Sequence, residues 1–414
     1  MVDEQRQIEK LRCILDVARH MAATTDLDVL LGMIVDAARQ VLDCERASIF
    51  LYDAATRELY SRVATGVESI RFPADRGIAG TAAQKRTVIN VPDAYADARF
   101  NPEIDRKTGF RTRNLLTFPL ENLGGELMGV LQTLNKVSGP FDPDDEELAR
   151  VLSAQAGVAL HRWRLLEEYA EKRRMARDLE IARSIQQTLF PKENPTVAGY
   201  EIAGWNRCAD ETGGDCYDFI PLPDGPLAIF MADATGHGIG AALIIAQCRS
   251  LVRAVLSITP DVAAVMNRVN RLLVQDLQAD RFVTAFLGVL DPVQHTLEYV
   301  SAGQGPLLFV SATGAESRSA TGVPLGILED FPYEAQRFDF LPASTVALLT
   351  DGFYETENAA GDQFGEERVT EFIAQRPGVP LADLIGGLHE AVRTFRAGGS
   401  QADDLTAVLI RRNG

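Results

Sequence analysis

The sequence predicts an α+β protein with two domains and a long helix between them. Apolar residues recur at helical spacing near the N-terminus and then alternate over short runs that end in glycines and polar turns. The same kind of short run returns in the second half of the chain. Between them, Leu160 to Phe190 contains neither Gly nor Pro. The length of 414 residues leaves room for two or three domains.

Composition excludes several classes of function. The chain has 41 Lys and Arg against 58 Asp and Glu, a net charge of −17. This acidity argues against nucleic acids and anionic membranes as partners, because both are polyanions. The five cysteines are scattered and form no Cys-x-x-Cys, which argues against a disulfide framework or a zinc site. The first residues lack the apolar core of a secretion signal, and we expect no membrane span and a cytoplasmic location.

The first half predicts a sheet flanked by helices. A helix is expected from Gln5 to Met21, and a second one, capped by Asp26, buries a face from Leu27 to Ala38. Strands are predicted at Ala47–Asp53, Glu58–Ala64, Thr87–Val91, Asn114–Leu120 and Leu127–Asn135. A helix from Asp144 to about Leu166 closes the unit. Antiparallel strands with helices on one side make an α+β domain.

The middle of the chain predicts a connector helix from Leu160 to Phe190, which Pro191 ends. Leu165, Lys172 and Leu179 recur at intervals of seven, an imperfect heptad pattern. We interpret the segment as a connector between domains and as a possible homodimer interface. A single helix packed on one domain is the alternative.

The second half predicts a layered α+β domain with many strands and a few long helices. The predicted strands are Tyr200–Asn206, Cys216–Pro221, Leu227–Asp233, Thr284–Asp291, Thr296–Ser301, Leu307–Val310, Thr345–Thr350 and Thr406–Arg411. The predicted helices begin near Gly238, at Asp261 and at Pro380.

Acidic residues stand at the ends of apolar strands in this half: Asp215, Asp233, Asp351 and the pair Asp403-Asp404. Carboxylates brought together at a sheet edge repel one another unless cations neutralise them. Oxygen ligands without Cys or clustered His favour Mg²⁺ or Mn²⁺ over zinc. Taken alone, Asp351-Gly352 is equally a turn, and Asp403-Asp404 is equally a solvated pair.

The segment from Leu179 to Arg411 resembles the SpoIIE/RsbU branch of the metal-dependent PPM (PP2C-like) serine/threonine phosphatases. The matching stretches are Ala182–Pro191, Gly213–Asp218, Asp233–Gly238 followed by Ala241–Leu243, Ser301–Pro306, Gly322–Gly326, Leu349–Glu355 and Asp403–Thr406. The resemblance implies an αββα sandwich with two Mn²⁺ or Mg²⁺ ions. It implies metal ligands at Asp215, Asp233, the carbonyl of Ala234, Asp351 and Asp403. Asp233 would bridge both ions, and Asp404 would support the ligands without binding a metal itself. The choice between Asp403 and Asp404 as direct ligand stays open.

The same resemblance implies that Asp233 and Asp215 are catalytic through the metals. His237 is a candidate proton donor, and a purely structural histidine is the alternative reading.

The segment from Leu27 to His161 resembles a GAF domain. Asn135-Lys136, Phe141 and Asp145-Glu146 reproduce a signature of the GAF domains of cyclic-nucleotide phosphodiesterases. The resemblance implies a small-molecule pocket, with a cyclic nucleotide as the leading ligand. Our candidates for polar contacts to it are Asp93, Tyr95 and Thr117. A buried Lys–Asp salt bridge with no ligand role is the alternative reading of the signature.

Together these patterns predict a GAF sensor domain at residues 1–160, a helical linker at 161–191 and a PPM-type phosphatase domain at 192–414. The predicted function is dephosphorylation of a protein, by resemblance a phosphorylated STAS-type anti-sigma factor antagonist in partner-switching signalling, under control of the GAF ligand. A catalytically silent PPM-fold scaffold is the alternative. A phosphodiesterase is disfavoured because the five histidines lie far apart. The identity of the ligand and the sign of regulation are left open.

Overall fold

The structure is a computed structural model that describes residues 2–62, 70–278, 280–312, 314–399 and 401–414. The chain divides into two compact units between Arg174 and Met175. This division falls inside one continuous helix, α5 (Pro143–Gln187). Helix α5 covers the predicted helix from Asp144 to about Leu166 and the predicted connector from Leu160 as far as Gln187, three residues short of its predicted end at Phe190.

The first unit has a six-stranded antiparallel sheet in the order β3-β2-β1-β6-β5-β4. Before α5, its elements are α1 (Val2–Met21), α2 (Leu27–Leu42), β1 (Cys44–Asp53), β2 (Glu58–Tyr60), β3 (Arg71–Pro73), α3 (Gly77–Lys85), β4 (Ile89–Val91), a 3₁₀ turn (Ala94–Ala96), α4 (Glu103–Thr108), β5 (Leu115–Glu121) and β6 (Leu127–Lys136). Asp26 caps α2 as predicted, because its carboxylate accepts a hydrogen bond from the Val29 amide at 3.0 Å. The predicted strand from Glu58 ends at Tyr60, and positions 63 and 64 lie outside the described residues.

Helices cover both faces of this sheet, so the expectation of helices on one side is wrong. One core joins α1, α2 and α5 to alternate residues such as Ile49, Phe118 and Leu131. The opposite face, with Phe50 and Val130, packs against α3. Helix α3 has few large apolar residues, and its packing face is made of alanines, so its periodicity is hard to read in the sequence.

The signature near Lys136 forms a buried ion pair in this unit. The Lys136 ammonium donates to Asp142 at 2.8 Å and to Asp145, and the side chains of Lys136 and Asp145 are 9% and 2% exposed. Asp142 and Asp145 also accept hydrogen bonds from each other's backbone amides, at 3.0 Å each, at the start of α5. These contacts join the end of β6 to the start of α5. They form the buried Lys–Asp salt bridge that the alternative reading of the signature predicts.

The second unit contains two five-stranded sheets, with strand orders β14-β11-β10-β9-β8 and β13-β12-β15-β16-β7. Its strands are β7 (Tyr200–Arg207), β8 (Asp215–Pro221), β9 (Leu227–Ala234), β10 (Val283–Asp291), β11 (Thr296–Ala302), β12 (Leu307–Ser311), β13 (Gly314–Arg318), β14 (Gln336–Asp339), β15 (Thr345–Leu349) and β16 (Leu405–Arg412). Its helices after α5 are α6 (Gly238–Leu256), α7 (Val262–Asp276), α8 (Gly352–Glu355), α9 (Gly365–Ala374) and α10 (Leu381–Arg396).

Three apolar clusters define four layers in this unit. One cluster lies between the sheets and takes residues from both, among them Met231 and Leu348. A second packs α6 and α7 on the first sheet, and a third packs α8, α9 and α10 on the other. The predicted αββα sandwich is therefore confirmed.

Helix α6 is long and apolar, and it packs in the core of the second unit. Judged by length and composition alone, it is the one helix of the described residues that could cross a bilayer, and core helices meet the same test. Ala241, Ile245 and Cys248 on this helix pack in the core. Two of its arginines, Arg249 and Arg253, pair with the buried carboxylate of Asp218 on β8, at 2.9 and 2.6 Å.

Candidate metal centre

Strand alternation aims Asp233 into the space between the two sheets. On β9, Ala228, Phe230 and Ala232 pack toward the α6 layer, whereas Ile229 and Met231 belong to the inter-sheet core. Successive side chains of a strand point to opposite faces, so Asp233 continues the inter-sheet row. It stands next to the last residue of β9, where that row reaches the edge of the sandwich.

Three neighbouring strands bring polar side chains to the same end. Asp215 opens β8, lies directly opposite Asp233 in the strand register, and precedes the inter-sheet residues Tyr217 and Phe219. Thr350 directly follows β15, and Thr406 stands near the start of β16, each in phase with inter-sheet residues of its strand. The sandwich thus ends in a polar mouth.

Asp215 is held by two threonine hydroxyls that the sequence analysis did not single out. Its carboxylate accepts hydrogen bonds from Thr350 Oγ1 at 2.9 Å and from Thr406 Oγ1 at 2.6 Å. The Thr406 hydroxyl accepts in turn from Asn206 Nδ2 at 2.8 Å. The available signal was their position: each threonine lies one or two residues from an acidic residue at a strand end.

Adjacent Asp403 and Asp404 occupy different environments. Asp404 is buried, and its carboxylate accepts hydrogen bonds from the backbone amides of Ala209 at 2.7 Å and Asp215 at 3.3 Å. Asp403 is exposed, and among the described hydrogen bonds its carboxylate accepts only the Asp404 amide, at 2.8 Å. The Asp404 carboxylate therefore holds the backbone of Ala209 and Asp215, whereas the Asp403 carboxylate is available to bind a ligand.

Burial and mutual repulsion raise the pKa of every carboxyl group at this mouth that is a candidate ligand. Burial raises the pKa of Asp215 well above its usual value, and the charges of Asp233 and Asp404 raise it further. Burial also raises the pKa of Asp233, with repulsion from Asp351, Asp403 and Asp404. The pKa values of Asp351 and Asp403 are raised as well, chiefly because the protein removes part of each carboxylate from water, even though the residue Asp403 as a whole is exposed. Such a cluster binds a positive charge favourably.

The donor set and the backbone around it suit a hard divalent cation. A Cβ on Gly214 would lie 2.7 Å from the carbonyl oxygen of Ala234, so only glycine leaves this carbonyl clear. All candidate donors are oxygens, as Mg²⁺ and Mn²⁺ prefer. No three Cys, His, Asp or Glu side chains of the described residues are placed to hold a metal ion as they stand. A cation there would therefore draw the carboxylates inward or keep several of its waters, as Mg²⁺ does.

His237 lies at the rim of this mouth. It precedes α6, its side chain is 87% exposed, and its Nδ1 is 3.3 Å from Asp210. An exposed imidazole oriented by a carboxylate is free to present its other nitrogen to a substrate.

A cavity of about 650 Å³ opens beside the loop that carries Asp210. Its walls include Arg183 near the end of α5, Trp205 and Arg207 on β7, and Cys208. Burial raises the pKa of the Cys208 thiol to about 11, so it stays protonated near neutral pH.

The three residues proposed for the GAF ligand already have partners within the protein. Asp93 accepts a hydrogen bond from the Tyr95 amide at 3.1 Å and caps the 3₁₀ turn. The Tyr95 hydroxyl donates to Asp105 at 3.0 Å. Thr117 is fully buried and accepts from Gln132 Nε2 at 3.0 Å. Within the part of the chain that the structure describes, no hydrogen bond brings Thr117 together with the other two.

Known proteins resemble the two halves separately. Residues 26–160 match the GAF domain family, and residues 223–413 match the family described as Stage II sporulation protein E (SpoIIE). A Caenorhabditis elegans protein named "Probable 3',5'-cyclic phosphodiesterase pde-5" is 31% identical over 182 residues, 40% of this chain and 25% of its own length. A Drosophila melanogaster "cGMP-specific 3',5'-cyclic phosphodiesterase" is 34% identical over 190 residues, 41% of this chain and 17% of its own length. The chain thus spans a quarter or less of these relatives.

Among solved structures, the SiaA-PP2C domain of Pseudomonas aeruginosa superposes with a TM-score of 0.53 at 21% identity, covering 58% of this chain and 98% of that domain. This similarity supports the PP2C fold. The RsbU and RsbW domains of a Mycobacterium tuberculosis protein are 25% identical, with a TM-score of 0.46, and cover 53% of this chain and 63% of that one. Residues 26–160 of this chain are therefore a GAF domain, and residues 223–413 belong to the SpoIIE family of PP2C-fold phosphatase domains.

Proposed function

We propose that the chain is a metal-dependent protein serine/threonine phosphatase. One observation carries the proposal: the strand register sets Asp215 opposite Asp233 at a mouth where Asp351 and Asp403 raise the pKa of Asp233. The proposed ligands are Asp215, Asp233, Asp351, Asp403 and the carbonyl of Ala234. When bound, two Mn²⁺ or Mg²⁺ ions would activate water and neutralise the phosphoryl oxygens.

Side chains of the protein itself would orient the metal ligands and supply a proton. The hydroxyls of Thr350 and Thr406 orient the Asp215 carboxylate, and Asp404 fixes the backbone on which Asp215 stands. His237, with Nδ1 toward Asp210, is the proposed donor of a proton to the leaving serine or threonine oxygen. No covalent bond to the enzyme is needed.

A phosphatase assay tests the enzyme assignment. With p-nitrophenyl phosphate or a phosphorylated STAS protein, we expect hydrolysis that requires Mn²⁺ or Mg²⁺ and stops when EDTA removes the ion. Absence of metal-dependent hydrolysis on both substrates would instead favour the silent scaffold.

Replacing Thr406 by Val is expected to weaken Mn²⁺ binding about tenfold. Loss of a residue that hydrogen-bonds to a metal ligand typically lowers the affinity for the metal by about 10–100-fold. The change keeps the shape of the side chain but removes the hydrogen bond to Asp215. Calorimetric titration with Mn²⁺ measures the effect. Thr296→Val is the matched control, since Thr296 is also buried but stands at the opposite end of β11 from the mouth. Equal Mn²⁺ affinity in both variants would contradict a role for Thr406.

We further propose that residues 1–160 sense a small molecule and that residues 161–191, most of which belong to α5, connect the sensor to the phosphatase. A cyclic nucleotide is the leading ligand because the matched relatives are named as cyclic-nucleotide phosphodiesterases. The substrate proposed is a phosphorylated STAS-type anti-sigma factor antagonist in the cytoplasm. A homodimer through α5 is supported by the exposed residues Val151, Val158 and Leu165, which recur at intervals of seven.

Addition of cyclic AMP or cyclic GMP to the phosphatase assay tests the ligand. An allosteric coupling of ordinary strength would change the affinity for Mn²⁺ about five- to 150-fold. If neither nucleotide binds in a direct titration, this ligand is wrong and the enzyme assignment is unaffected.

A further inference from the structure

The side chain of Gln304 joins the two sheets of the second unit beside the candidate metal centre. Gln304 lies in the turn between β11, a strand of the first sheet, and β12, a strand of the other, and it is 3% exposed. Its Oε1 accepts a hydrogen bond from Thr284 Oγ1 on β10 at 3.1 Å, and its Nε2 donates to the Leu349 carbonyl on β15 at 3.1 Å. Both ends of this buried amide are therefore used, one on each sheet.

These two contacts fix the direction of the Thr284 hydroxyl proton. A backbone carbonyl can only accept a hydrogen bond, so the end of the amide that faces Leu349 must be the NH₂ group. The oxygen of Gln304 then faces Thr284, and because this oxygen carries no proton, the hydroxyl must be the donor. A hydroxyl has a single proton, so Thr284 has none left for another acceptor.

The carboxylate of Asp233 lies next to this hydroxyl. Thr284 stands directly opposite Asp233 in the register of β9 and β10, and opposed side chains share one face of the sheet with Cβ atoms about 4.5–5.5 Å apart. A threonine in this place could donate to the carboxylate, as Thr350 and Thr406 do to Asp215. Among the described hydrogen bonds, that of the Thr284 hydroxyl goes to the glutamine instead.

Asp215 and Asp233 differ in the number of oxygens that each must offer to a cation. The hydroxyls of Thr350 and Thr406 both donate to Oδ2 of Asp215, so Oδ1 accepts from neither threonine. The resemblance to the PPM phosphatases implies that Asp233 bridges two cations, which requires both of its oxygens. A hydroxyl that donated to either oxygen of Asp233 would compete with a cation for a lone pair.

We propose that Gln304 is a positioning residue of the metal centre: it accepts the proton of the Thr284 hydroxyl and thereby leaves both oxygens of Asp233 to the cations. This inference rests on the proposed phosphatase function, because it concerns the same site. The hydrogen bond to Leu349 has a part in it, since that bond orients the amide. Loss of Gln304 would free the Thr284 hydroxyl to donate to Asp233, and removal of that hydroxyl would then reverse the damage.

A double-mutant cycle in the full chain tests the proposal. Gln304→Met keeps the length of the side chain and removes both hydrogen bonds, and Gln304→Leu removes them with a branched side chain. Thr284→Val removes the hydroxyl, keeps the shape of the side chain, and is made alone and together with each Gln304 change. Gln336→Met, on the exposed edge strand β14, is the control. Mn²⁺ binding is measured from the loss of the free-ion signal in electron paramagnetic resonance, and thermal unfolding without metal shows which variants fold.

We expect the Kd for Mn²⁺ to rise about 10–100-fold in the Gln304 variants, as for other residues that orient metal ligands. Adding Thr284→Val should lower this Kd again toward the wild-type value. Such a non-additive result distinguishes the proposal from a loss of packing or of the Leu349 contact, because Thr284→Val would not repair either. Turnover of p-nitrophenyl phosphate by the Gln304 variants should recover at saturating Mn²⁺ with KM unchanged, and Gln336→Met should behave as the wild type.

Two results would overturn the proposal. One is a folded Gln304 variant that binds Mn²⁺ as tightly as the wild type does. The other is a double variant that binds Mn²⁺ no more tightly than the Gln304 variant from which it was made. If the wild type itself binds no Mn²⁺, the proposed function fails instead, so the two failures are distinct.

Discussion

Asp233→Asn should reduce metal-dependent phosphatase turnover by about 1,000-fold or more, which corresponds to about 4 kcal/mol of lost transition-state stabilisation. Asp233 is the residue on which the cluster converges, since Asp215 lies opposite it and Asp351, Asp403 and Asp404 all act on its pKa. An amide at this position offers one neutral oxygen in place of a charged carboxylate. The measurement is initial-rate hydrolysis of p-nitrophenyl phosphate across a range of Mn²⁺ concentrations.

Thermal unfolding without metal separates this loss from misfolding. Asp233→Asn removes one charge from a group of carboxylates that repel one another, so the metal-free variant should unfold at no lower a temperature than the wild type. Mn²⁺ should raise the melting temperature of the wild type more than that of the variant, because only binding to the native state stabilises it. Asp339→Asn on the edge strand β14, whose carboxylate is 74% exposed, is the control and should retain full activity. Full turnover in Asp233→Asn would remove Asp233 from the metal site.

Lys136→Met should destabilise the GAF domain by about 3–5 kcal/mol, the usual cost of leaving one partner of a buried ion pair alone. The carboxylate of Asp145 is 2% exposed and would lose its ammonium partner. Burial by itself would lower the pKa of Lys136, but hydrogen bonds from Lys136 to Asp142 and Asp145 outweigh it and raise that pKa. The Lys136 ammonium is therefore charged in the folded protein at neutral pH.

Urea unfolding followed through Trp163 measures the effect, in a Trp205→Phe background that removes the other tryptophan. Trp163 packs against the main core of the first unit and so reports on it. Arg71→Met is the matched control: Arg71 also contacts two carboxylates, Asp53 and Glu58, but its side chain is 46% exposed. Exposed pairs contribute about 0–1 kcal/mol. A similar loss in both variants would contradict the structural role of the Lys136 pair.

Much of the fold was readable from local patterns. The strands that carry the metal centre begin and end within one or two residues of the predicted positions, because alternating apolar runs bounded by glycines and polar turns specify them. Asp26 was identified as a cap for the same reason, since its role depends only on the next three residues. Helix α3, with a packing face of alanines, gave no such signal and was missed.

The acidic residues of the candidate centre were also identified from sequence, through their place at strand ends and the resemblance of their motifs. Local sequence could not show which side chains donate hydrogen bonds to these carboxylates. Thr350 and Thr406 lie 135 and 191 positions from Asp215 in the chain, yet both donate hydrogen bonds to its carboxylate, and Asn206 donates in turn to Thr406. Only the packing of the two sheets decides these contacts. The GAF ligand residues illustrate the same limit, because Asp93, Tyr95 and Thr117 were chosen by position, and in the fold each has its own internal partner.

The sequence by itself thus determined the two domain families, most of the strands and the carboxylates that can meet a cation, because periodicity and motif residues are properties of short segments. Only the tertiary structure decided that Asp404 holds backbone while Asp403 stays open, and that the Thr284 hydroxyl beside Asp233 donates to Gln304. The physical reason is that hydrogen bonds and repulsion depend on distances of a few ångströms between residues far apart in the chain, and these distances exist only once the sheets have packed.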